Sequence, residues 1–458
     1  MNTPTPAAPV PMLSTAAALE ILLEAARPLD RTEEVDTFAA RGRVLAADIT
    51  SPIDVPRMAT SAMDGYAVRL ADLQMRTSAG AIQSTSGAAP STASTLSGAA
   101  SADTSADNST VPAAAEPSGR LTRQLPISQR IPAGHPAQPL AKASVARIFT
   151  GATVPPGADA VVMQEQAEVN GDMVSFTVIP ARGEWITQQG ADIEADSVIL
   201  PAGRRLDAQS LGLAASVGRP SLPVVCRPKV AVFFTGDELT MPGEPLRPGA
   251  IYNSSRYTLR ALLEDLGCAV SDFGIVPDTL SATRDTLRAA AADHDLVLTS
   301  GGVSVGEEDH VRPAVLAQGR LSLWQIAMKP GKPLAFGELD RPGAPPAFFI
   351  GLPGNPVSSF VTFLVFVRPF LLRLAGVHDV TPRVLQLRAD FTQAKADRRN
   401  EFLRARLNAD GGLSLFPNQS SSVLTSTVWA DGLIDNPPGH AIQAGEMVRF
   451  IPFSELLN

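Results

Sequence analysis

From Lys229 onward, short apolar runs alternate with stretches of helical character, and this alternation constrains the fold more than any other feature of the chain. It predicts strands at residues 229–234, 268–276, 296–299, 324–328 and 347–350, and helices at 254–266, 281–292, 311–318 and from 357 onward. Apolar runs without a polar face are typical of strands buried on both sides of a parallel sheet. We therefore expect βαβ units that form a doubly wound parallel sheet.

The segments that follow these strands are rich in glycine, acids and lysine. They read TGDEL (235–239), PDT (277–279), SGGVSVGEED (300–309), MKPGKP (328–333) and GLPGNP (351–356). Doubly wound sheets bind ligands at the carboxyl ends of their strands. Each segment alone is a weak signal, but together they predict one ligand site built from several loops.

The SGGVSVGEED segment combines features that suit opposite charges. Gly301, Gly302 and Gly306 let the backbone turn and present amide N–H groups to an anion before a helix. The three acids at 307–309 would repel that anion, since two like charges about 4 Å apart cost roughly 1 kcal/mol in water and about 4 kcal/mol at a protein surface. Either a cation bridges the anion and the acids, or the acids only cap the helix.

The other loops also have two interpretations each. Asp237 and Glu238 either stabilise a helix N-terminus or serve the site. Asp278 is either a site residue or an N-cap, which would contribute about 1 kcal/mol. Lys329 and Lys332 lie in a stiff, proline-bounded loop that suits a phosphate or another oxyanion. The GLPGNP loop either makes a turn and a helix entry or contacts a ligand through backbone N–H groups.

Length, charge and cysteine use exclude several classes of protein. The chain has 458 residues, too many for one core, and a net charge of −8 that leaves no basic footprint for nucleic acid. Cys226 and Cys268 show no metal spacing and no disulfide framework, so we expect a reducing cytoplasm. The N-terminus lacks a signal-peptide pattern, and the apolar stretch 357–375 is interrupted by Arg368 and Pro369. We expect a buried helix there rather than a membrane span.

The regions around the α/β domain (228–376) predict three further domains. Residues 14–50 and 183–227 are expected to form a discontinuous mixed N-terminal domain with helices at 15–26 and 32–39. Residues 51–182 should form a mainly β domain, and residues 377–458, with many turns, a small β-barrel or sandwich. Residues 76–120 contain almost no large apolar side chain and are predicted to be a disordered insert.

Six ordered motifs resemble those of one family. SAMDGYA (61–67) and RIFTGATVP (147–155), followed by GDEL, SGGVSVGE.D, MKPGKP and GLPGNP, resemble the MoeA molybdopterin molybdenumtransferase family, which includes the gephyrin E-domain. The resemblance covers residues 14–75 and 121–458. It implies a MogA-like molybdopterin-binding α/β domain in an elongated, four-domain homodimer in the cytoplasm.

The resemblance also implies a reaction and its participants. Molybdenum from molybdate would be ligated to the dithiolene of adenylylated molybdopterin, with release of AMP and the assistance of Mg²⁺. The implied protein partners are a MogA-like molybdopterin adenylyltransferase and molybdoenzyme acceptors, with neither nucleic acid nor membrane involved.

The family's active site implies a role for individual residues of this chain. The catalytic positions are Glu238, Asp278, Asp309 and Lys329 on the α/β side, and Asp64, Thr150 and Asp192 from the partner's β domain. The implied Mg²⁺ ligands are Glu238, Asp278 and Asp309. The implied cofactor-binding residues are Gly301, Gly302, Ser304, Gly306, Lys332, Pro353, Gly354 and Asn355. On its residues alone, Asp64-Gly65 is equally well explained as a turn.

Three positions depart from the family pattern. Gln325 replaces a residue that is often basic, and Asn253 and Ser255 stand in a segment that usually reads Y-D-[ST]-N. We expect these changes to weaken anion or cation affinity without abolishing turnover.

There are three competing interpretations of the sequence. Two of them are enzyme classes that resemble only the α/β domain, and the third is a protein without catalytic activity. MogA-like adenylyltransferases and CinA-type nucleotide pyrophosphatases would explain GDEL and the SGG loop, but neither SAMDGYA, RIFTGA nor the C-terminal β region. A non-catalytic scaffold, a role that the gephyrin E-domain also has, is the third alternative.

The insert is expected to be dispensable, because a segment with almost no large apolar side chain contributes little to a core. Deletion of residues 78–118 should leave enzymatic activity and the oligomeric state unchanged, as measured by turnover and by size-exclusion chromatography with light scattering. Loss of either property would contradict this prediction.

Overall fold

The computed structural model describes residues 12–73, 122–302 and 310–457. The chain divides into two compact units, one formed by Met1–Ile49 with Val198–Asn458 and the other by Thr50–Ser197. We call them the α/β unit and the β-rich unit. Residues 183–197, which the sequence grouped with residues 14–50, therefore lie in the β-rich unit. The division into four domains stays a prediction, and the insert 76–120 lies outside the described residues.

The α/β unit contains a six-stranded sheet. Its strands are β1 (Lys229–Thr235), β2 (Ala269–Val276), β3 (Leu296–Ser300), β4 (Gly319–Gln325), β5 (Pro333–Arg341) and β6 (Ala344–Leu352), in the order β2-β1-β3-β6-β5-β4. The pairs β2–β1, β1–β3 and β3–β6 are parallel. The pairs β6–β5 and β5–β4 are antiparallel.

The prediction of a wholly parallel sheet is therefore wrong at one edge. The sequence showed no strand at β5, and it placed a strand at 324–328, whereas β4 ends at Gln325. Strands β5 and β6 are joined by Pro342-Gly343, and Gly343 has φ +73°. A glycine with positive φ suits a tight hairpin, which reverses the strand direction without a crossover helix.

Helices cover both faces of this sheet, as the doubly wound prediction requires. They are Ser254–Asp265, Leu280–Asp293, Val311–Leu316 and the helical segment formed by Pro356–Thr362, Phe363–Val367 and Arg368–Leu374. Successive residues of β1 point to opposite faces: Val230 and Val232 belong to one apolar cluster, Ala231 and Phe233 to the other. Each face therefore needs its own helical cover.

The segment Pro356–Leu374 is long and apolar enough to span a membrane, but 89% of its most apolar window is buried inside the structure. It contributes to the larger apolar cluster. Phe370 makes edge-to-face contacts with Phe336 and Phe348, with ring centroids 5.8 and 5.1 Å apart. The segment is a core helix, as the sequence predicts.

The N-terminal part of the α/β unit differs from expectation at one element. The helix Thr15–Ala25 is present, capped by Ser14, whose Oγ accepts from Ala17 N at 3.1 Å. The helix predicted at 32–39 is wrong: Thr32–Asp36 is a strand that pairs with Ser221–Val225, and a 3₁₀ turn, Thr37–Ala39, follows. Long-range pairing here overrides the helical propensity of two consecutive glutamates.

The remaining elements of this unit are short. They are strands Val198–Leu200, Leu239–Thr240 and Ile251–Tyr252, and helices Ala208–Ser216, Thr425–Trp429 and Phe453–Leu456. A second sheet comprises Met328–Lys329, Leu385–Arg388, Asn400–Leu407, Leu413–Leu415, Gly432–Asn436 and Met447–Pro452. The pairing found among the described residues follows an open path, so closure into a barrel stays a prediction.

The β-rich unit is built on its own six-stranded sheet. The strands are Gly65–Val68, Leu125–Ile131, Val145–Ile148, Ala160–Met163, Ala167–Asn170 and Met173–Phe176. A smaller pair joins Thr60–Ser61 to Ile186–Thr187. The helix Leu70–Leu73 and the 3₁₀ turn Gln164–Gln166 complete the unit, and the strand Ile49–Thr50 stands at its border. The strands Ala167–Asn170 and Met173–Phe176 form a hairpin whose turn contains Gly171, with φ +58°.

The aromatic contacts of Phe370 should make it a large contributor to stability. Phe370→Ala is expected to reduce the free energy of unfolding by about 3–5 kcal/mol, because it opens a cavity in a packed core. Phe38→Ala is the matched control, since Phe38 is 99% exposed, and it should change stability by less than about 0.5 kcal/mol. Urea denaturation followed by circular dichroism measures both, and equal effects would contradict the packing described.

Candidate active site

A cavity of about 790 Å³ opens at the carboxyl ends of the parallel strands. All five predicted loops contribute to it: Gly236 and Glu238 after β1, Asp278 after β2, Gly301 and Gly302 after β3, Lys329 to Pro333 after β4, and Pro353 to Pro356 after β6. The structure thus brings together nine of the predicted site residues: Glu238, Asp278, Gly301, Gly302, Lys329, Lys332, Pro353, Gly354 and Asn355. Ser304, Gly306 and Asp309 lie outside the described residues.

Close approach of the loops depends on Gly301. Its φ is +98°, and a Cβ added there would lie 2.6 Å from the carbonyl oxygen of Thr235. A Cβ added at Gly354 would lie 3.7 Å from the Cα of Gly301, so the loops after β3 and β6 are in van der Waals contact. Ser300 Oγ also donates to the carbonyl of Pro353 at 3.0 Å. A larger residue at 301 would clash with Thr235 and force the ends of β1 and β3 apart.

Two of the purely structural alternatives are not supported. The N-cap of the helix after β2 is Thr279, whose Oγ1 accepts from Ala282 N at 3.3 Å, so Asp278 is not the cap. Glu238 is followed by the short strand Leu239–Thr240 and not by a helix. Both carboxylates line the cavity instead, where their roles remain predictions.

The cations of the cavity differ in their surroundings. Lys329 Nζ lies 2.9 Å from Glu401 Oε1 and 3.3 Å from Asp397 Oδ2. Burial lowers the pKa of Lys329, but the hydrogen bonds and charges of Glu401 and Asp397 outweigh it and leave the pKa raised. Lys332, in contrast, is exposed and has no ion pair within the described part of the chain. An anionic ligand would therefore meet one anchored and one freer ammonium group.

The C-terminal region supplies cavity residues that the sequence did not reveal: Arg399, Gln419, Ser420 and Ser421. A bond from Arg399 Nη2 to Asp397 Oδ2, at 2.9 Å, orients the guanidinium. Hydrogen bonding from Arg399 holds the pKa of Asp397 well below its usual range. The polar run NQSSS (418–422) was the available signal, but nothing in its sequence indicates that it reaches the sheet edge.

The structure describes the surroundings of two positions that depart from the family pattern. Asn253 is buried and caps the helix Ser254–Asp265, since its Oδ1 accepts from Arg256 N at 3.1 Å. Gln325 is the last residue of β4, where it pairs with Pro333. Asn253 thus keeps a capping role that an aspartate could also fill.

The β-rich unit holds the other predicted site residues. Asp64 Oδ1 accepts from both Thr150 N and Thr150 Oγ1 at 2.8 Å. These two bonds lower the pKa of Asp64, and the charge of Arg147 lowers it further. Asp192 is exposed, and its backbone N–H donates to Val55 O at 2.9 Å. The structure therefore joins Asp64 to Thr150, while no described contact joins either to the Asp192 side chain.

The fold and the cavity define a multidomain α/β protein with a cavity lined by glycines, carboxylates and basic side chains at the carboxyl edge of a sheet. Three family models match it: the MoeA N-terminal region (domains I and II) at residues 13–218, a probable molybdopterin-binding domain at 231–373, and the MoeA C-terminal region (domain IV) at 385–453. The chain belongs to the MoeA family.

Similar proteins support this assignment. A molybdopterin molybdenumtransferase of Haemophilus influenzae is 36% identical over 437 residues, which cover 93% of this chain and 95% of that protein. A molybdopterin molybdenumtransferase 2 of Mycobacterium tuberculosis is 34% identical over 426 residues, or 91% and 92% of the two chains. The molybdopterin biosynthesis MoeA protein of Pyrococcus horikoshii shares the fold, with a TM-score of 0.76, 24% identity, and coverage of 96% of this chain and 100% of that one.

The Thr150 hydroxyl should help to set the pKa of Asp64. Thr150→Val removes one of the two hydrogen bonds to the carboxylate, so the pKa of Asp64 should rise toward its ordinary value, and the group should protonate at higher pH. Thr150→Ser is the matched control because it keeps the hydroxyl. Carboxyl-carbon NMR titration measures both variants, and an unchanged midpoint in Thr150→Val would contradict the prediction.

Proposed function

We propose that this protein is a molybdopterin molybdenumtransferase. It transfers molybdenum from molybdate to the dithiolene of adenylylated molybdopterin and releases AMP. The observation that carries the proposal is the meeting of Glu238, Asp278, Lys329 and the Gly301 and Gly354 loops in one cavity. Relatives named for this transfer, similar over more than nine-tenths of the chain, support the reaction.

The cavity offers separate means of holding the anionic groups of the substrates. The glycine loops after β3 and β6 bring backbone close to a ligand, as phosphate-binding loops do. Lys332 is exposed at the cavity, so its side chain can adjust to contact a phosphate oxygen. Lys329 and Arg399 are held by acids and present fixed positive charge, which suits a small oxyanion such as molybdate. Preorganised charge of this kind needs no rearrangement when negative charge develops in the reaction.

The proposal includes a Mg²⁺ ion, and the carboxylates of Glu238 and Asp278 are suitable ligands for it. Magnesium in phosphoryl sites is held by one or two carboxylates together with phosphate oxygens and water, and Glu238 and Asp278 both line the cavity. Asp309, the third predicted ligand, lies outside the described residues, and the described ranges contain no group of three His, Cys, Asp or Glu side chains that could hold a metal. When bound, Mg²⁺ would neutralise phosphate charge beside Glu238 and Asp278.

The alternatives that use the α/β domain alone are less well supported. A MogA-like adenylyltransferase or a CinA-like pyrophosphatase leaves the matches of the N-terminal and C-terminal regions without a role. A non-catalytic scaffold does not require acids and cations to share a cavity.

The proposal also includes the assembly and surroundings that the family implies. We expect a cytoplasmic homodimer in which Asp64, Thr150 and Asp192 serve the cavity of a second copy. A molybdopterin adenylyltransferase would supply the substrate, and molybdoenzymes would accept the product.

Loss of Glu238 should slow turnover strongly without unfolding the protein, because this acid is exposed and lines the cavity. With adenylylated molybdopterin, Mg²⁺ and molybdate, Glu238→Ala and Asp309→Ala should each release AMP at least about a hundredfold more slowly than the unmodified protein. Asp285→Ala is the control, since Asp285 pairs with Arg288 on an exposed helix surface. Circular dichroism checks folding.

The same assay separates the alternatives. AMP release that ignores molybdate would favour a pyrophosphatase. Bound ligand that stays intact would favour a binding module. Unfolding of Glu238→Ala would show that this carboxylate is structural.

A further inference from the structure

A buried carboxylate lies directly behind the cavity wall. Glu401, on the strand Asn400–Leu407, is 0% exposed. Its Oε1 accepts from Lys329 Nζ at 2.9 Å, and its Oε2 accepts from Asn436 Nδ2 at 3.2 Å. A buried charge is tolerated only when partners compensate its lost hydration. The ammonium group of Lys329 therefore compensates the buried negative charge of Glu401.

We propose that Glu401 is a positioning residue, which fixes the ammonium group of Lys329 at the cavity wall and is itself fixed by a hydrogen-bonded chain through Asn436 and His440. The inference rests on the proposed function, in which Lys329 contacts an oxyanion. Glu401 does not line the cavity, so it acts through Lys329.

The backbone supports this pairing independently of the side chains. Met328–Lys329 joins the second sheet as a short parallel strand, in which Lys329 is the register partner of Glu401. Asn400 N also donates to Ala327 O at 2.8 Å. The two strands therefore hold the lysine and the glutamate side by side, and the ion pair needs little further ordering of the chain.

The chain behind Glu401 leads toward solvent. Asn436 is 2% exposed, and its Nδ2 donates to both Glu401 Oε2 and the carbonyl of His440, the latter at 3.0 Å. Because Nδ2 faces two acceptors, the amide orientation is determined, and its Oδ1 lies 2.8 Å from His440 Nδ1. His440 Nε2 in turn lies 2.8 Å from Glu446 Oε1. Every link restricts the rotation of the one before it.

Local charge balance makes the effect specific to Lys329. Two cations, Lys329 and Arg399, share the site with two acids, Asp397 and Glu401. Asp397 lies 2.9 Å from Arg399 and 3.3 Å from Lys329. Loss of the Glu401 charge should therefore remove the shorter of the two ion pairs of Lys329 and leave the Arg399–Asp397 pair in place.

A double-mutant cycle tests the proposal. Glu401→Gln should lower kcat/KM for molybdate-dependent AMP release by roughly ten- to a hundredfold, because a misplaced site group is costly. In a Lys329→Ala background the same change should have less than about a twofold effect, since the two residues act as one unit. Glu338→Gln is the matched control: it breaks the Arg320–Glu338 ion pair, which does not line the cavity, and should leave kcat/KM unchanged.

A second readout needs no turnover. The charge of Glu401 raises the pKa of Lys329 against the opposing effect of burial, so Glu401→Gln should increase the neutral amine fraction. Acetylation of Lys329 at pH 8, followed by mass spectrometry, should become about threefold faster or more, given that one pKa unit is a tenfold change in that fraction. Glu338→Gln should not alter the rate.

The outcomes separate the two proposals. Equal losses of kcat/KM in both backgrounds, or unchanged acetylation of Lys329, would overturn the positioning role. Absence of molybdate-dependent turnover in the unmodified protein would contradict the proposed function, and the acetylation rate would still decide whether Glu401 holds Lys329.

Discussion

Parallel pairing of β1, β3 and β6 is the constraint on which the site depends. Their registers run side by side, from Val230 opposite Leu296 to Ser300 opposite Leu352. Parallel strands end at one edge of a sheet, so the loops that follow them must meet, although they are far apart in the sequence. Gly301 then allows close approach to the carbonyl oxygen of Thr235, because a Cβ there would lie 2.6 Å from it. The contents of the cavity follow from this geometry.

That geometry concentrates charges of both signs in a small space. Two acids, Glu238 and Asp278, line the cavity together with three basic residues, Lys329, Lys332 and Arg399. At an effective dielectric constant of about 20, two unit charges about 4 Å apart interact by roughly 4 kcal/mol, enough to decide where an ion sits. The position of the Lys329 ammonium group is restricted, because it donates a hydrogen bond to the buried carboxylate of Glu401. Under the proposed function, these charges would bind anionic substrates together with a divalent cation.

The parts of this fold that could be predicted from the sequence are those determined by patterns of neighbouring residues. The strands of the sheet are mostly apolar runs, and the loops that follow β1, β2, β3, β4 and β6 have recognisable sequences, so nine cavity residues could be named from the sequence. The strand Thr32–Asp36 could not, because its pairing with Ser221–Val225 is set by a distant segment. Arg399 and the segment 419–421 reach the cavity only through the placement of the C-terminal sheet. The antiparallel edge depends on the two-residue turn Pro342-Gly343, which no apolar pattern in the flanking strands announces.

The most direct test of the shared cavity is a crystal structure of the protein grown with AMP, Mg²⁺ and molybdate. The account predicts AMP phosphate beside Gly301 and Gly354, with Mg²⁺ on Glu238 and Asp278 and molybdate against Lys329 or Arg399. Ordered ligands bound elsewhere on the α/β unit, with this cavity filled by solvent alone, would contradict it.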